Sequence, residues 1–497
     1  MRTARRSARP PAAAAARSPR ANRRSLPSVT HVAPRTGASA TIGGVEASTQ
    51  AALPPGPKLP KLIQTLGFAV MPARFFDACR RRYGEVVTFR TLFDSGFVMV
   101  FDPRIVKDIF RGDPDQLRAG PANELLGPVL GERSVLLLDG PEHLRQRRLM
   151  LPAFHGQRLR TYETIMREAT DREIDSWPVG EAFQSLRAMQ SLTLDVIMRT
   201  VFGVEEGERY RELHRAIRDM LDPISRPLGV LVLTLSLARR GRSRNVQVFE
   251  ERRRRVDELI YDEIERRRRD PDLAEREDVF SSLLLAEDEE GRPMTDAEIR
   301  DELVTLLVAG HETTATALAW GFDLLLHHQV VMDELRRRVA DGDDEYVDAL
   351  VKEVLRIRPV IPAVGRVVHG EPFELAGYSI PPGMEINPSI TAIHRRPDSY
   401  PSPTELRPER FLEDDPPDTY TWIPFGGGTR RCLGGSFATF EMRVVISRVL
   451  ERTTLEAVQP EPDEIQRRGI TMVPRNGAPI RQLRSPRAGR TAAPAAA

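Results

Sequence analysis

The sequence is poor in cysteine, in net charge and in long apolar runs, and each shortage excludes a class of protein. Cysteine occurs twice in 497 residues, at Cys79 and Cys432, so a disulfide framework is excluded and a reducing cytoplasm is expected. Lys and Arg total 73 against 71 Asp and Glu, and this balance argues against a general nucleic-acid binder. No apolar run approaches the ~20 residues that span a bilayer, so no membrane anchor is expected.

The composition changes near residue 54 and again near residue 484. Residues 1–53 are rich in Arg, Ala, Pro and Ser, with no acid before Glu46. This is typical of a disordered leader and also of a transit peptide, and an over-called start codon is a third explanation. Residues 485–497 are predicted to be a disordered tail. At ~150 residues per domain the length suggests about three domains, but residues 54–484 contain no linker and predict one large domain.

The most informative stretch is the glycine-rich loop 425–435, which contains Cys432 and precedes an apolar helical pattern. Backbone N–H groups at the start of that helix, together with Arg430 and Arg431, favour a thiolate, the form of cysteine that binds metal. The glycines remove side chains where a large flat ligand would lie against the backbone. Read alone, such a cysteine is more often an inert buried thiol, which is also our reading of Cys79.

The loop does not stand alone. Phe425, Gly428, Arg430, Cys432 and Gly434 together resemble the haem-binding signature of the cytochrome P450 monooxygenases. Four further stretches resemble that family in the expected order, between about residues 54 and 474. The resemblance implies a mainly α fold with a smaller β part, a triangular prism with a long central helix over haem b. It also implies that Cys432 is the axial ligand of the haem iron, a ligation that favours O–O cleavage.

A basic helical stretch supplies candidate partners for the haem propionates. His143 and Arg147 are four residues apart, so they share one face of a helix and can hold an acid by charge-assisted hydrogen bonds. Without the family resemblance, a solvated basic helix would be the favoured interpretation of this stretch. The family sets a His-x-x-x-Arg pair at this place, and an arginine that Arg366 matches, against the propionates. The resemblance therefore assigns all three residues to haem binding.

A capping box at Thr295 and Glu298 predicts the start of a helix that runs to about His328. Gly310 lies mid-helix, where glycine costs about 1 kcal/mol relative to alanine, so a reason for it is needed. We expect Ala309 and Gly310 to let a flat ligand approach the helix.

The next turn of this helix is unusually polar. Thr313 can donate a hydrogen bond to the Ala309 carbonyl and bend the helix locally. Glu312 and Thr313 resemble the acid–alcohol pair with which the family delivers protons to dioxygen, and they are the predicted catalytic residues. His311 occupies a variable position of that motif and is assigned no chemistry.

Two further stretches complete the resemblance. Glu353 and Arg356 match the family's Glu-x-x-Arg pair, which with Arg410 would form a buried network that holds the cysteine loop. An ordinary i, i+3 pair would instead be a surface bridge worth about 1 kcal/mol or less. Several apolar residues are predicted to line the substrate space, in an extended segment and a late hairpin: Ile361, Ala363, Val364, Met472 and Val473.

Two other features leave alternatives open. The arginine runs 252–255 and 266–269 look like nucleic-acid patches, but interleaved acids predict an ion-paired helix face. The apolar segment 230–235 is either a roof over the pocket or ordinary core.

The resemblance implies a haem-thiolate monooxygenase that inserts one oxygen atom from O₂ into a small apolar molecule, by hydroxylation or epoxidation. No Cys₄ set and no Gly-x-Gly-x-x-Gly after a strand appears, so electrons must come from outside the chain. Arg430 and Arg431 suit an acidic ferredoxin, itself served by a ferredoxin reductase. Two alternatives are a peroxide-driven oxygenase on the same scaffold and a haem-binding sensor without turnover.

Overall fold

The computed structural model describes residues 53–70, 72–92, 96–154, 156, 158–203, 207–221 and 244–484. The predicted tail, the predicted leader up to residue 52 and the apolar segment 230–235 lie outside these residues.

Helices form most of the described chain, as the sequence predicts. In chain order they are α1 (Lys61–Val70), α2 (Pro72–Tyr83), α3 (Pro103–Arg111), α4 (Gly127–Leu130), α5 (Gly140–Met150), α6 (Arg158–Ser176), α7 (Ser185–Thr200), α8 (Glu208–Leu221), α9 (Arg244–Arg268), α10 (Val279–Leu285), α11 (Asp296–Leu326), α12 (Gln329–Ala340), α13 (Asp344–Ile357), α14 (Ile390–Ile393) and α15 (Gly435–Arg452). Within the described residues, no helix combines the length and apolarity of a bilayer-spanning segment.

The β part is smaller and divided among several short sheets. Its strands are β1 (Val86–Phe89), β2 (Phe97–Val100), β3 (Leu117–Arg118), β4 (Ala182–Gln184), β5 (Arg366–Val368), β6 (Phe373–Leu375), β7 (Tyr378–Ile380), β8 (Glu385–Pro388), β9 (Thr454–Ala457), β10 (Ile465–Arg468), β11 (Thr471–Pro474) and β12 (Pro479–Arg484). The largest sheet has the order β1-β2-β8-β5-β3, and β10 and β11 form a hairpin. The prediction of a mainly α fold with a smaller β part is confirmed.

Helix α11 is the central element of the main core. Its capping box is present, because Thr295 Oγ1 accepts the Glu298 N–H at 3.2 Å and the Glu298 carboxylate accepts the Thr295 N–H at 2.7 Å. The helix packs against α7 and α15. Its side chains are buried over most of its length, while residues 308–313 retain accessible surface.

The hairpin β10–β11 is tied to both α11 and the segment that follows α13. The Met472 N–H donates to the Val360 carbonyl at 2.8 Å. The indole N–H of Trp320, on α11, donates to the Met472 carbonyl at 2.9 Å. These bonds fix the second strand of the hairpin and thereby place the first strand beside the middle of α11.

Outside the site, Cys79 and the arginine runs behave largely as expected. Cys79 is a buried free thiol in the cluster beneath β1 and β2. Arg254 pairs with Glu258, and Arg268 pairs with Asp296. Arg267 differs, because it is fully buried between carboxylates rather than solvated.

Candidate functional site

The cysteine loop is held in shape by its glycines and by Phe110 of α3. Gly426 and Gly428 have φ values of 66° and 65°, a left-handed conformation that disfavours other residues. A Cβ on Gly427 would lie 2.1 Å from the Phe110 ring, and one on Gly428 would lie 2.2 Å from its carbonyl oxygen. The loop therefore needs these glycines in order to pack.

The loop closes on itself at Cys432, whose N–H donates to the Phe425 carbonyl at 2.9 Å. The Phe425 ring packs edge-on against Trp422, with centroids 6.0 Å apart. Gly434 is the N-cap of α15, and a Cβ there would meet open space. Of the residues that carry the resemblance, Gly434 is thus the glycine that packing does not require.

The Cys432 side chain is accessible, although protein surrounds it closely enough to desolvate it. This desolvation raises the pKa of the thiol, while the Gly434 N–H and the charges of Arg147 and Arg431 act in the opposite direction. The N–H and guanidinium groups that the sequence predicted are present, but the effect of burial on the pKa of the free thiol is larger than theirs. A bound cation would stabilise the thiolate form of Cys432, because metals deprotonate the thiols that ligate them.

Four basic side chains converge beside the cysteine. His143 and Arg366 are buried, and Arg147 and Arg430 are half-buried. Burial, together with three neighbouring guanidinium groups, lowers the pKa of His143 to about 3. Burial and the Arg430 charge lower the pKa of Arg366 to about 10. We call His143, Arg147, Arg366 and Arg430 the basic cluster.

Among the described residues, the basic cluster has more positively charged side chains than carboxylate partners. Arg430 pairs with Asp139, whose carboxylate also accepts from the Ala119 and Gly120 N–H groups. Arg366 donates to the carbonyls of Gly365 and Gly427, and the described residues offer Arg147 no carboxylate. Buried charges normally carry a partner. The cluster therefore fits an anionic ligand such as the carboxylates of haem.

The accessible middle of α11 presents small and polar groups. Thr313 Oγ1 donates to the Ala309 carbonyl at 2.6 Å, which is the bond the sequence predicted. Ala309 is exposed. A Cβ on Gly310 would lie 3.1 Å from Cδ1 of Ile197 on α7, while the expected approach of a flat ligand at this glycine stays a prediction. This glycine lets α7 pack closely on α11.

Glu312 is anchored away from its neighbour Thr313. One carboxylate oxygen accepts from Gln190 Nε2 at 2.7 Å, and the other pairs with Arg468 Nη1 at 3.0 Å. His311 is held on the same side, with Nε2 3.0 Å from the Gln190 carbonyl. The structure therefore does not join the predicted acid to the predicted alcohol, and sequence reasoning missed both Gln190 and Arg468.

The predicted buried network forms. Arg356 donates to both Glu353 oxygens, from Nε at 2.6 Å and from Nη2 at 2.8 Å, and Arg410 Nε donates to Glu353 at 3.0 Å. Arg356 also lies 4.8 Å from the centre of the Tyr400 ring. All of these side chains are buried.

His394 connects this network to the cysteine loop, and sequence reasoning missed it. Arg356 Nη1 donates to the His394 carbonyl at 2.9 Å, and the His394 Nε2 accepts the Ile423 N–H at 2.9 Å. Tyr400 adds a second link through the Thr421 carbonyl at 2.9 Å. The segment that leads into the loop is therefore anchored by residues from α13 onward.

The predicted pocket residues divide into two groups. Ile361, Ala363, Val364 and Met472 each keep accessible surface. Val473 is 1% exposed and packs with Leu186 and Ala319, so its assignment to the pocket is wrong. Alternation along β11 puts Val473 on the face opposite to Met472.

Comparison with known proteins finds relatives along most of the chain. The family model described as Cytochrome P450 matches residues 54–480. Cytochrome P450 135B1 of Mycobacterium tuberculosis is 40% identical over 438 residues, covering 86% of this chain and 91% of that protein. Cytochrome P450 137 of the same species is 39% identical over 404 residues, covering 81% and 83%. The solved cyanobacterial CYP120A1 with retinoic acid bound aligns with a TM-score of 0.74 at 22% identity, covering 87% of this chain and 99% of that one.

Proposed function

The chain belongs to the cytochrome P450 family and is a haem-thiolate monooxygenase, and we propose that it hydroxylates or epoxidises a small apolar molecule with electrons from an external ferredoxin. The observation that carries the proposal is the juxtaposition of an accessible cysteine with the basic cluster. Arg147 is common to the two parts, because its charge lowers the pKa of both Cys432 and His143.

The residues present fit haem b. Cys432 would hold the iron and the basic cluster would hold the propionates. When bound, the haem supplies activation of dioxygen. The protein supplies the thiolate, the orientation and the protons, and the Thr313 hydroxyl lies one helical turn after the exposed Ala309, to whose carbonyl it donates. Proton transfer by a positioned hydroxyl and carboxylate contributes typically 10²–10⁴-fold in rate.

The substrate we propose is apolar because the accessible candidate residues are aliphatic. Ile361, Val364 and Met472 offer no charge and no hydrogen-bonding side chain. The structural neighbour was solved with retinoic acid, a largely hydrocarbon ligand. A spectral binding screen with terpenoid, steroid, fatty-acyl and polyketide compounds tests this, and binding of polar compounds alone would contradict it.

The electron donor we propose is an acidic ferredoxin that docks beside the cysteine loop. Arg431 is exposed next to Cys432, so it can meet a carboxylate of the partner. Arg431→Glu should slow reduction by ferredoxin at low salt and leave substrate binding unchanged. Arg254→Glu, on the exposed face of α9, is the matched control. Equal rates in both variants would remove the loop from the docking surface.

The cytoplasm is the location we propose, because both cysteines are free thiols.

The decisive experiment on the site is spectroscopic. Purified wild-type protein should carry haem and, when reduced under carbon monoxide, give the thiolate-ligated spectrum, and Cys432→Ala should lose that spectrum. A colourless protein, or an unchanged spectrum in the variant, would overturn the proposal.

A peroxide-driven oxygenase is the second candidate, and the anchoring of Glu312 favours it. Such an enzyme does not need the acid–alcohol pair, and here both Glu312 oxygens are engaged elsewhere. Turnover with peroxide but none with O₂ and reductant would select this candidate. Product formation with O₂ and reductant would exclude it, together with a haem sensor that has no turnover.

A further inference from the structure

We propose that Glu302, a buried acid of α11, is a positioning residue that holds Val135 so that the Val135 carbonyl directs Arg430 towards the bound anion. The inference rests on the proposed function, in which the basic cluster holds the haem propionates. It adds a residue that lies outside the cluster and that neither the sequence nor the comparisons assign.

The first observation is a chain of two hydrogen bonds through a single residue. Glu302 Oε1 accepts the Val135 N–H at 2.8 Å, and the Val135 carbonyl accepts from Arg430 Nη1 at 3.2 Å. Arg430 also donates to the Leu138 carbonyl and pairs with Asp139. The N–H and the carbonyl of Val135 belong to the same residue, so a displacement of the first moves the second. Glu302 therefore acts on one of the contacts that orient the Arg430 guanidinium.

The second observation is that the segment between α4 and α5 contains no helix or strand. Its backbone groups therefore need partners from elsewhere, and α11 supplies three of them. The Asp301 carboxylate accepts the Arg133 N–H at 2.9 Å, and Thr305 Oγ1 lies 2.7 Å from Ser134 Oγ. Both of these contacts end before the residue that bonds the basic cluster, and of the three α11 side chains only Glu302 reaches that residue.

The third observation concerns the charge of the acid. Glu302 is 0% exposed, and its Oε2 has no hydrogen-bond partner within the described residues. Burial raises the pKa of Glu302 well above its usual value, and the Asp301 and Glu298 charges act in the same direction, against the bond from the Val135 N–H. The acid is therefore neutral at pH 7. It can hold the segment without adding a negative charge that would compete with the anion for Arg430.

The test compares three variants that leave the basic cluster intact. Glu302→Gln keeps a neutral side chain with an acceptor oxygen, whereas Glu302→Leu removes the acceptor. Thr305→Val is the matched control, because it removes the contact of the same helix with the neighbouring Ser134. Haem release from purified holoprotein into excess apomyoglobin should be about 5-fold faster in Glu302→Leu, the factor expected for the loss of one hydrogen bond. The glutamine variant and the control should stay within about 2-fold of the wild type.

Two further readouts separate an effect on Arg430 from a general loosening of the segment. The resonance Raman bands of propionate bending, which respond to hydrogen bonds on the propionates, should shift in Glu302→Leu and stay in place in Glu302→Gln and Thr305→Val. In an Arg430→Met background, Glu302→Leu should not accelerate haem release any further, because the residue through which it acts is gone. Glu302→Asp withdraws the acceptor by one methylene group, should shift the same bands, and replaces Glu302→Leu if that variant does not fold.

The outcomes distinguish this inference from the proposed function. Equal haem release in the leucine and glutamine variants, propionate bands that do not move, or an increase that persists in the Arg430→Met background would overturn the role of Glu302. A wild-type protein that binds no haem would overturn the proposed function instead. Amide hydrogen exchange at Val135 would then decide whether Glu302 holds the segment, since exchange should be faster in Glu302→Leu than in the wild type.

Discussion

Replacing Glu441 by glutamine should stabilise the protein, by an amount that depends on pH. Glu441 lies on α15, one turn after Phe437, and is 1% exposed. Its Oε1 has no hydrogen-bond partner within the described residues. Desolvation alone raises the pKa of this carboxyl from 4.5 to about 8. The side chain is therefore a buried neutral acid at pH 7.

The magnitude follows from the linkage between proton binding and folding. The folded state keeps the proton between pH 4.5 and about 8, whereas the unfolded chain has lost it, so stability is fully present below pH 4.5 and declines as the pH rises through this window. Each pKa unit corresponds to 1.36 kcal/mol. The wild type thus loses roughly 3 kcal/mol from this group by pH 7 and about 5 kcal/mol above pH 8. Glutamine carries no such dependence.

Urea unfolding of wild type and Glu441→Gln at a series of pH values between 4.5 and 9 measures the difference. The increase in the free energy of unfolding of Glu441→Gln over wild type should be close to zero near pH 4.5 and should grow with pH until it levels off. Glu451→Gln on the same helix is the control, since Glu451 is partly exposed and pairs with Arg448, and its effect should stay below about 1 kcal/mol. A constant difference across the series would show that Glu441 does not remain protonated in the fold.

Three further predictions concern the site and its supports. Thr313→Ala should divert reducing equivalents to peroxide and lower product formation, and unchanged coupling would remove Thr313 from proton delivery. Arg356→Met should cost about 3–5 kcal/mol because it leaves the buried Glu353 charge without its main partner, and thermal unfolding would measure this; a loss below 1 kcal/mol would contradict the role of the network. The pKa of His394 is lowered by burial to about 3, so stability is present above pH 6.5 and falls as the pH drops towards 3. His394→Gln should flatten that acidic decline, and an unaltered decline would assign it to other groups.

Local chemistry made part of this structure predictable. The capping box at Thr295 and the bond from Thr313 to Ala309 span three and four residues, so spacing alone predicts them. The glycines of the cysteine loop were predictable as a set, although Phe110, which makes two of them necessary, lies more than 300 positions earlier in the chain. That partner could be found only from the fold.

Long-range contacts account for what sequence reasoning missed. Arg468 and Gln190 reach Glu312 from elements 156 and 122 positions away, and nothing near Glu312 in the sequence indicates them. Arg267 illustrates the same limit, because its run of arginines predicted a solvated face. In the fold Asp278 and the Phe280 ring enclose this one side chain. Periodicity predicts which residues share a face but not which element will cover it.

The bond from the Ile423 N–H to His394 has a consequence for how the protein matures. The segment before Cys432 takes its shape from His394, which Arg356 holds in turn. These three points are 29 and 38 residues apart in the sequence, so the loop takes its final shape only after α13 and the segment around His394 have packed together. We expect a newly made chain to acquire pigment last, which would make the appearance of colour a report on completed assembly of the whole helical scaffold.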